Sequence, residues 1–421
     1  MARYSRPKGT QDLLPDVQKY WEHLLDVVST TARSYGFERI DVPIFETTEL
    51  FTRGVGEGTD IVDKEMYSFQ DKGKRDVTLR PEFTAGVIRA YLENGMQVMP
   101  KPVKLFSTGP AFRYEAPQAG RYRQFHQFNA EIIGVPSPLA DLEIMLLAWD
   151  IYDQLGFKGL AFQLNSTGCP VCRPGYITAL RAHYDDHTDV ICEDCERRLD
   201  KNPLRVLDCK RDQCQPVIAS APKTVDMLCE ECAEHFAELR GYLDALERPY
   251  AMNHRLVRGL DYYTKTVFEV WAEGIGAQSA VCGGGRYDGL AELLGGPKTP
   301  GVGFAAGMER AILVMMAQDV VVPDLPTPPV FVAYLGADAR AFAVKLISDL
   351  RDQGVAARIA MRGGLRSQLK QANKRDAKFA IIVGDDELAR GEIALRDMVT
   401  GEQSMVPTAA IVSVLQDRLG T

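Results

Sequence analysis

The sequence predicts a multidomain fold, an α+β body followed by a small α/β domain, and three observations carry that reading. Residues 105–134, LFSTGPAFRYEAPQAGRYRQFHQFNAEIIG, read as two strands joined by a long polar loop. Residues 169–232 hold eight of the nine cysteines, a shift in composition that marks an inserted unit. Pro323, Pro326, Pro328 and Pro329 crowd seven residues, and beyond them strand and helix patterns alternate.

The chain of 421 residues is 46% hydrophobic and 25% charged, as expected of a globular protein of two or three domains. No apolar run approaches the ~20 residues that span a bilayer, so no membrane partner is expected. MARYSRPKGTQDLLP lacks the apolar core of a signal peptide, which makes the cytoplasm the expected location. The net charge of −8 argues against a non-specific nucleic-acid coat. The charge is uneven: residues 330–421 carry 13 Lys+Arg against 11 Asp+Glu, and the rest carries 36 against 46.

Taken in order, the spacing of Trp21, Leu24, Leu25, Val28 and Ala32 predicts a helix from about Asp16, with Gly36 as its stop. FERIDVPIFE reads as a strand whose Pro43 favours an edge or a bulge. RGVGEGTD (53–60) reads as a loop, and EMYSF with VTLRPEFTA as a hairpin. Glu82 and Thr84 fall where that hairpin turns into a helix, a place that suits either binding groups or a simple helix cap. In the 105–134 hairpin, alternation puts Arg113, Gln127, Asn129 and Glu131 on one face and His126, Phe128, Ala130 and Ile132 on the other. An arginine, amides and a carboxylate on one face are costly to bury unless paired or bound to something. Arg121 and Arg123, beside Gln118 in the loop, suit a phosphate-bearing ligand, though a solvated hairpin would show the same pattern. SPLADLEIMLLAWDIYDQLG predicts a structural helix, with Ser137 as N-cap, Pro138 in the first turn, and Asp141 and Glu143 favouring its positive end.

The cysteines come as four pairs: Cys169 with Cys172, Cys192 with Cys195, Cys209 with Cys214, and Cys229 with Cys232. Without a secretion signal, disulfides are disfavoured, and short chelating loops of this kind suit tetrahedral zinc. Eight thiolates make two four-cysteine structural sites; the spacing leaves open which pairs combine, with His183, His187 and His235 as spare candidates. Further on, Arg258 and Asp261 fall in a turn before a strand that starts near Tyr262 and Tyr263. Three consecutive glycines, Gly283 to Gly285, allow close backbone approach but also suit a hairpin turn. A small-residue strand, Gly303 to Ala306, precedes a helix with Glu309 and Arg310 in its first turn, leaving room for a flat ligand. In the last domain Arg362, Arg366, Lys370, Lys374 and Lys378 recur every fourth residue, a row that fits a polyanion, a solvated helix face being the ordinary alternative.

Several segments together resemble the histidyl-tRNA synthetases of class II: RPKGTQDLLP, the two histidine-specific motifs LVRGLDYYTKTVFEV and AVCGGGRYDGL, the class motif 2 hairpin GPAFRYEAPQAGRYRQFHQ, and GVGFAAGMER as motif 3. The resemblance implies a class II antiparallel-sheet catalytic core and an α/β anticodon-binding domain (330–421). With the inserted cysteine-rich domain (169–245) and the linker (323–329) read from composition, the core falls in two parts (1–168 and 246–322), and the eight-cysteine insertion is not general to the family. It implies a homodimer that joins L-histidine to histidine tRNA with ATP and Mg2+. By the same resemblance Glu82, Thr84, Gln127, Glu131, Tyr262 and Tyr263 would hold the histidine, and Arg113 and Arg258 would act on the α-phosphate and the histidine carboxylate. Arg113, Arg121, Glu131 and Arg310 would meet the ATP. Gln118, Arg123, Arg362, Arg366, Lys370 and Lys374 would meet the tRNA. Phe83 stands where the family pattern has a glycine between Glu82 and Thr84. The other reading is a non-catalytic histidine-binding paralogue that regulates a biosynthetic enzyme, but such proteins usually lose catalytic positions and the last domain.

Overall fold

The computed structural model describes residues 4–56, 59–273 and 280–420, so Glu57 and Gly58 of the expected 53–60 loop lie outside the described residues. The chain divides into two compact units, Met1–Pro323 and Asp324–Thr421. In the first unit the strands are, in order, β1 (Glu38–Arg39), β2 (Phe45–Thr47), β3 (Tyr67–Gln70), β4 (Asp76–Leu79), β5 (Val103–Phe112), β6 (Gln124–Ile133), β7 (Ala161–Ser166), β8 (Tyr250–Met252), β9 (Thr264–Trp271), β10 (Ala280–Arg286) and β11 (Gly301–Gly307). Eight of them form one sheet in the order β1-β5-β6-β11-β10-β9-β7-β8. Its inner pairs are antiparallel, and only the short edge strands β1 and β8 run parallel to their neighbours. β2, β4 and β3 make a small antiparallel sheet beside it.

The period-two pattern decides which face of the large sheet is core. Phe128, Ala130 and Ile132 of β6, with Phe304 of β11 and Phe268 of β9, point into one apolar layer. That layer is closed by the helices Gln18–Ser34, Pro138–Gln154, Glu230–Ala245 and Met308–Ala317, through residues such as Leu24, Ile144, Leu239 and Met315. Each such side chain, fully buried, contributes about 1.5–3 kcal/mol. The opposite face is left with the polar residues Gln127, Asn129 and Glu131.

Two local readings change. FERIDVPIFE is not one strand: β1 and β2 belong to different sheets, and the segment holding Pro43 passes between them. Asp141 lies in the helix's first turn as expected, but it is buried there against Arg286, whose Nε donates to it at 3.0 Å and whose Nη groups also donate to the carbonyls of Val135 and Ser137 at 3.0 Å. A buried carboxylate persists only with such partners. Ser137 caps the helix as expected, accepting from the Leu139 N–H at 3.2 Å.

In the second unit, β12 (Val330–Leu335), β13 (Ala357–Ile359), β14 (Phe379–Gly384), β15 (Glu392–Asp397) and β16 (Gln403–Pro407) lie in the order β13-β12-β14-β15-β16. The first three strands are parallel and the last two antiparallel. Helices Ala337–Asp352 and Ile411–Leu419 pack on one apolar cluster and helix Leu365–Lys374 on another, the α/β layering read from the alternation.

Candidate active site

The polar face of the sheet gathers the expected residues around Glu131. Its Oε1 accepts from Thr84 Oγ1 at 2.7 Å and its Oε2 from the Tyr287 hydroxyl at 2.6 Å. Burial pushes the Glu131 carboxyl up to about 8, against the hydrogen bonds that favour its ionised form. Glu82 is also buried, which raises its pKa. It accepts from the Thr84 and Ala85 N–H groups at 2.6 and 2.9 Å, so Glu82, and not Thr84, satisfies the start of helix Thr84–Glu93. Thr84 is left free to turn its hydroxyl to Glu131. Phe83 is buried, with the Arg80 guanidinium 4.0 Å from its ring centre.

Arg113 leaves the end of β5 on the same face, its Nε donating to the Pro81 carbonyl at 2.9 Å and its guanidinium over Phe125. Arg258 enters from the turn before β9, with Nη1 2.5 Å from Glu269 Oε1. Burial is the largest influence on Arg258 and works against its charge, but Glu269 together with Tyr263, Asp208 and Cys282 raises the pKa overall. Tyr262 and Tyr263 pack with ring centres 4.8 Å apart and planes tilted by 51°, and Tyr262 and Tyr287 meet edge to face at 5.7 Å. Among the described residues, Gln127 Oε1, Asn129 Oδ1 and Arg258 Nε are buried with no hydrogen-bond partner, as groups that await a polar ligand are.

The glycine run is not a turn. Gly283, Gly284 and Gly285 lie inside β10, and a Cβ on Gly283 would stand 2.4 Å from the Arg258 guanidinium, one on Gly285 2.9 Å from the Tyr263 ring. Gly303 opposite would put a Cβ 1.7 Å from Glu131 Oε2. These glycines make room for the side chains of Arg258, Tyr263 and Glu131.

Arg310 donates to the Ala280 carbonyl at 2.8 Å; burial lowers its pKa and the nearby Arg121 lowers it further. Two guanidiniums so close suit a chain of phosphates. In the motif 2 loop, Gln118 and Arg121 exchange backbone hydrogen bonds at 3.1 and 2.9 Å, and Gln118 is exposed. Arg123 is drawn inward: its N–H donates to the Gly9 carbonyl at 2.7 Å and its guanidinium lies 3.6 Å from the Tyr114 ring centre. In the second unit, Arg366, Lys370 and Lys374 lie on the exposed side of helix Leu365–Lys374, while Arg362 and Lys378 sit in the flanking segments, so the row of five is not one helix face.

Two partners were missed in the sequence. Glu269 carried a signal, a lone acid alternating with apolar residues in TVFEVW; Tyr287 carried none beyond its place after the glycines.

The eight cysteines gather into two sets, Cys169, Cys172, Cys229 and Cys232, and Cys192, Cys195, Cys209 and Cys214. Sγ of Cys169 lies 3.8 Å from that of Cys172 and 3.7 Å from that of Cys229. In the other set Cys192 and Cys209 are 3.9 Å apart, and Cys195 and Cys214 3.8 Å. Zn–S bonds of about 2.3 Å in a tetrahedron give S···S edges of about 3.8 Å, whereas a disulfide is about 2.0 Å. The N–H groups of Val171 and Cys192 donate to sulfurs of their sets at 3.4 and 3.2 Å, as thiolates favour. The three histidines serve elsewhere: His183 faces the Val217 carbonyl, His187 that of His183, and His235 lies 3.4 Å from Asp141.

An antiparallel sheet with helices beneath it and arginines, carboxylates and tyrosines on its open face is the catalytic core of a class II aminoacyl-tRNA synthetase. The family described as Histidyl-tRNA synthetase matches residues 9–169 and 205–311, and the one described as Anticodon binding domain matches 329–418. The histidine--tRNA ligase of Desulfitobacterium hafniense (strain DSM 10664 / DCB-2) is 51% identical over 414 residues, 98% of each chain. That of Pelotomaculum thermopropionicum is 48% identical over 416 residues, 99% of this chain and 98% of its own. The crystal structure of apo S. aureus histidyl-tRNA synthetase matches with a TM-score of 0.82 and 38% identity, over 98% of this chain and 99% of that one. A Bacillus halodurans protein described as an ATP phosphoribosyltransferase regulatory subunit/histidyl-tRNA synthetase shares the fold at a TM-score of 0.64 and 19% identity, over 91% of this chain and 99% of that one. The chain belongs to the histidyl-tRNA synthetase family.

Proposed function

We propose that this chain, an enzyme of that family, activates L-histidine with magnesium–ATP and transfers the histidyl group to the 3′-terminal adenosine of histidine tRNA. The observation that carries the reading is the gathering of Arg113, Arg258, Glu82, Glu131, Tyr262 and Tyr263 at one side of the sheet, within segments that match the histidyl-tRNA synthetase family. Glu131, Glu82 and Gln127 suit the α-ammonium group, Thr84 helps hold Glu131, and Tyr262 and Tyr263 suit the imidazole. The histidine carboxylate attacks the α-phosphorus of ATP and pyrophosphate leaves. Negative charge then gathers on the phosphate oxygens, where Arg258 and Arg113 stabilise it, with Arg121 and Arg310 on the phosphate tail. The terminal ribose hydroxyl of the tRNA attacks the adenylate carbonyl and AMP leaves. Gln118 and Arg123 belong to the loop proposed to meet the acceptor end, and Arg362, Arg366, Lys370 and Lys374 to the surface proposed for the anticodon arm. Each cysteine set is proposed to hold a structural zinc ion, which as a closed four-thiolate site supplies no chemistry. The enzyme is proposed to work in the cytoplasm as a homodimer; among the described residues no helix is long and apolar enough to cross a membrane.

The regulatory reading has less support, since the chain keeps Arg113, Arg258 and Arg310 and the second unit. Histidine-dependent ATP–pyrophosphate exchange, measured without tRNA, tests the choice. Exchange that appears only with histidine is expected; histidine binding without exchange would favour the regulator.

A further inference from the structure

The segment 255–265 carries Arg258, Tyr262 and Tyr263, and both cysteine sets hold it, each at a different end. At the Arg258 end, Val257 is packed into the apolar core of the insert together with Cys192, Cys195, Cys209 and Cys214. Arg205 donates to the Gly259 carbonyl at 3.1 Å, and Asn202 to Asp261 at 3.1 Å. Gln215, which follows Cys214, accepts from Arg255 at 2.8 Å.

The other set grips the tyrosine end. The Lys265 N–H donates to the carbonyl of Gly168, the residue before Cys169, at 2.8 Å, and the Thr167 N–H donates to the Lys265 carbonyl at 2.8 Å. Arg173, which follows Cys172, donates to the carbonyls of Thr167 and Tyr263. Glu231, between Cys229 and Cys232, pairs with Lys265 Nζ at 2.7 Å. Lys265 itself sits at φ 50°, a left-handed backbone that a residue with a side chain holds only when its surroundings impose it. Gly168, at φ 67°, could not carry a Cβ, which would lie 2.8 Å from Cys172 Sγ.

We infer that two zinc ions, one in each cysteine set, clamp this segment from both ends and so position the histidine-binding tyrosines and the phosphate-facing arginine. The inference rests on the histidine-activation reading above. It makes the eight cysteines positioning residues for the site, and it gives the two ions different effects. Loss of the Cys169/Cys172/Cys229/Cys232 ion frees the tyrosine end and weakens histidine binding. Loss of the Cys192/Cys195/Cys209/Cys214 ion frees the Arg258 end and slows the chemical step.

The test uses the full chain and zinc as the probe. Elemental analysis is expected to give two zinc ions per chain, and cobalt substitution to give thiolate charge-transfer bands at both sites. Calorimetry follows histidine binding, and pyrophosphate exchange gives KM and kcat. The double variant Cys229→Ser/Cys232→Ser is expected to keep one zinc and raise the histidine KM and dissociation constant roughly tenfold or more, with the ATP KM within about twofold. Cys195→Ser/Cys209→Ser is expected to keep one zinc and lower kcat more than it raises the histidine KM. Should either variant fail to fold, chelator-stripped wild-type protein with retained circular dichroism takes its place, and restored zinc must restore histidine binding. Less than one zinc per chain, or zinc-free folded protein with unchanged histidine binding and kcat, would overturn the clamp. Wild-type protein that binds histidine only with zinc but shows no exchange would instead overturn the catalytic reading and leave the clamp standing.

Discussion

Glu131 is a buried carboxyl far from the ordinary carboxylate range. Burial raises its pKa to about 8, so in the ligand-free protein at pH 7 it carries a proton. An incoming α-ammonium group favours the carboxylate, so binding must expel that proton. The sign follows: apparent histidine affinity rises between pH 7 and about 8.5, because the proton is already gone at the higher pH, by up to about tenfold per pH unit below the pKa. Calorimetry in buffers of different ionisation enthalpy is expected to show close to one proton released at pH 7 and progressively less above pH 8. Affinity that is flat with pH, or proton uptake, would remove Glu131 from the ammonium's place. Arg258 gives the second prediction at this scale. Arg258→His keeps the segment but loses the guanidinium that Glu269 holds and that is proposed to meet the reacting phosphate; exchange should fall by roughly 10²–10³ with the circular dichroism unchanged. A rate near that of the wild type would end its assigned role.

At the scale of the element, β10 separates activity from stability in adjacent residues. A methyl group on Gly283 meets the Arg258 guanidinium at 2.4 Å, and Arg258 is pinned by Glu269. One on Gly284 meets the Gly303 carbonyl at 2.2 Å, backbone against backbone in the β10–β11 pair. Gly283→Ala is therefore expected to lower exchange by about tenfold or more with little change in melting temperature. Gly284→Ala is expected to cost about 1–3 kcal/mol of stability, seen as a lower denaturation midpoint. Equal melting temperatures for the two variants would count against this division of roles. The same strand marks the limit of the sequence reading. Alternation in QFHQFNAEII places Gln127, Asn129 and Glu131 together because a strand's period is strict and needs only local residues. The glycines are ambiguous in sequence because their purpose, space for Arg258 and Tyr263, is set by a loop remote along the chain. The cysteines are legible as metal ligands from their spacing, but the first pair closes with the last and the middle pairs with each other. That nesting depends on helix Glu230–Ala245 returning beneath the sheet, which no local pattern records. Pro43 misleads only in degree: its ring favours an edge or bulge, and the chain there leaves one sheet for another.

For the whole molecule, the uneven charge points to a division of labour between the two units. Residues 330–421 are the part with excess positive charge, on a chain of net −8. Gln368 and Ala372 bury the inner side of helix Leu365–Lys374, and Gln368 ties it to β12 through the backbone of Tyr334, donating to its carbonyl at 3.0 Å and accepting from its N–H at 2.9 Å. The outer side is thereby fixed, and it presents Arg366, Lys370 and Lys374 to solvent. Fixed exposed cations repel one another, which a polyanion relieves. If this surface meets tRNA, the triple variant Arg366→Glu, Lys370→Glu and Lys374→Glu should leave histidine-dependent exchange at the wild-type rate, since every residue proposed for the adenylate site lies in the first unit. Its KM for tRNA in the charging reaction should rise about tenfold or more. The dependence of that KM on salt should flatten by about one logarithmic unit for each phosphate no longer neutralised. Charging with an unchanged KM and salt slope would place the tRNA on another surface. A collapse of exchange together with charging would mean that the substitutions had disturbed the first unit as well, and the separation of activation from tRNA binding would have to be abandoned.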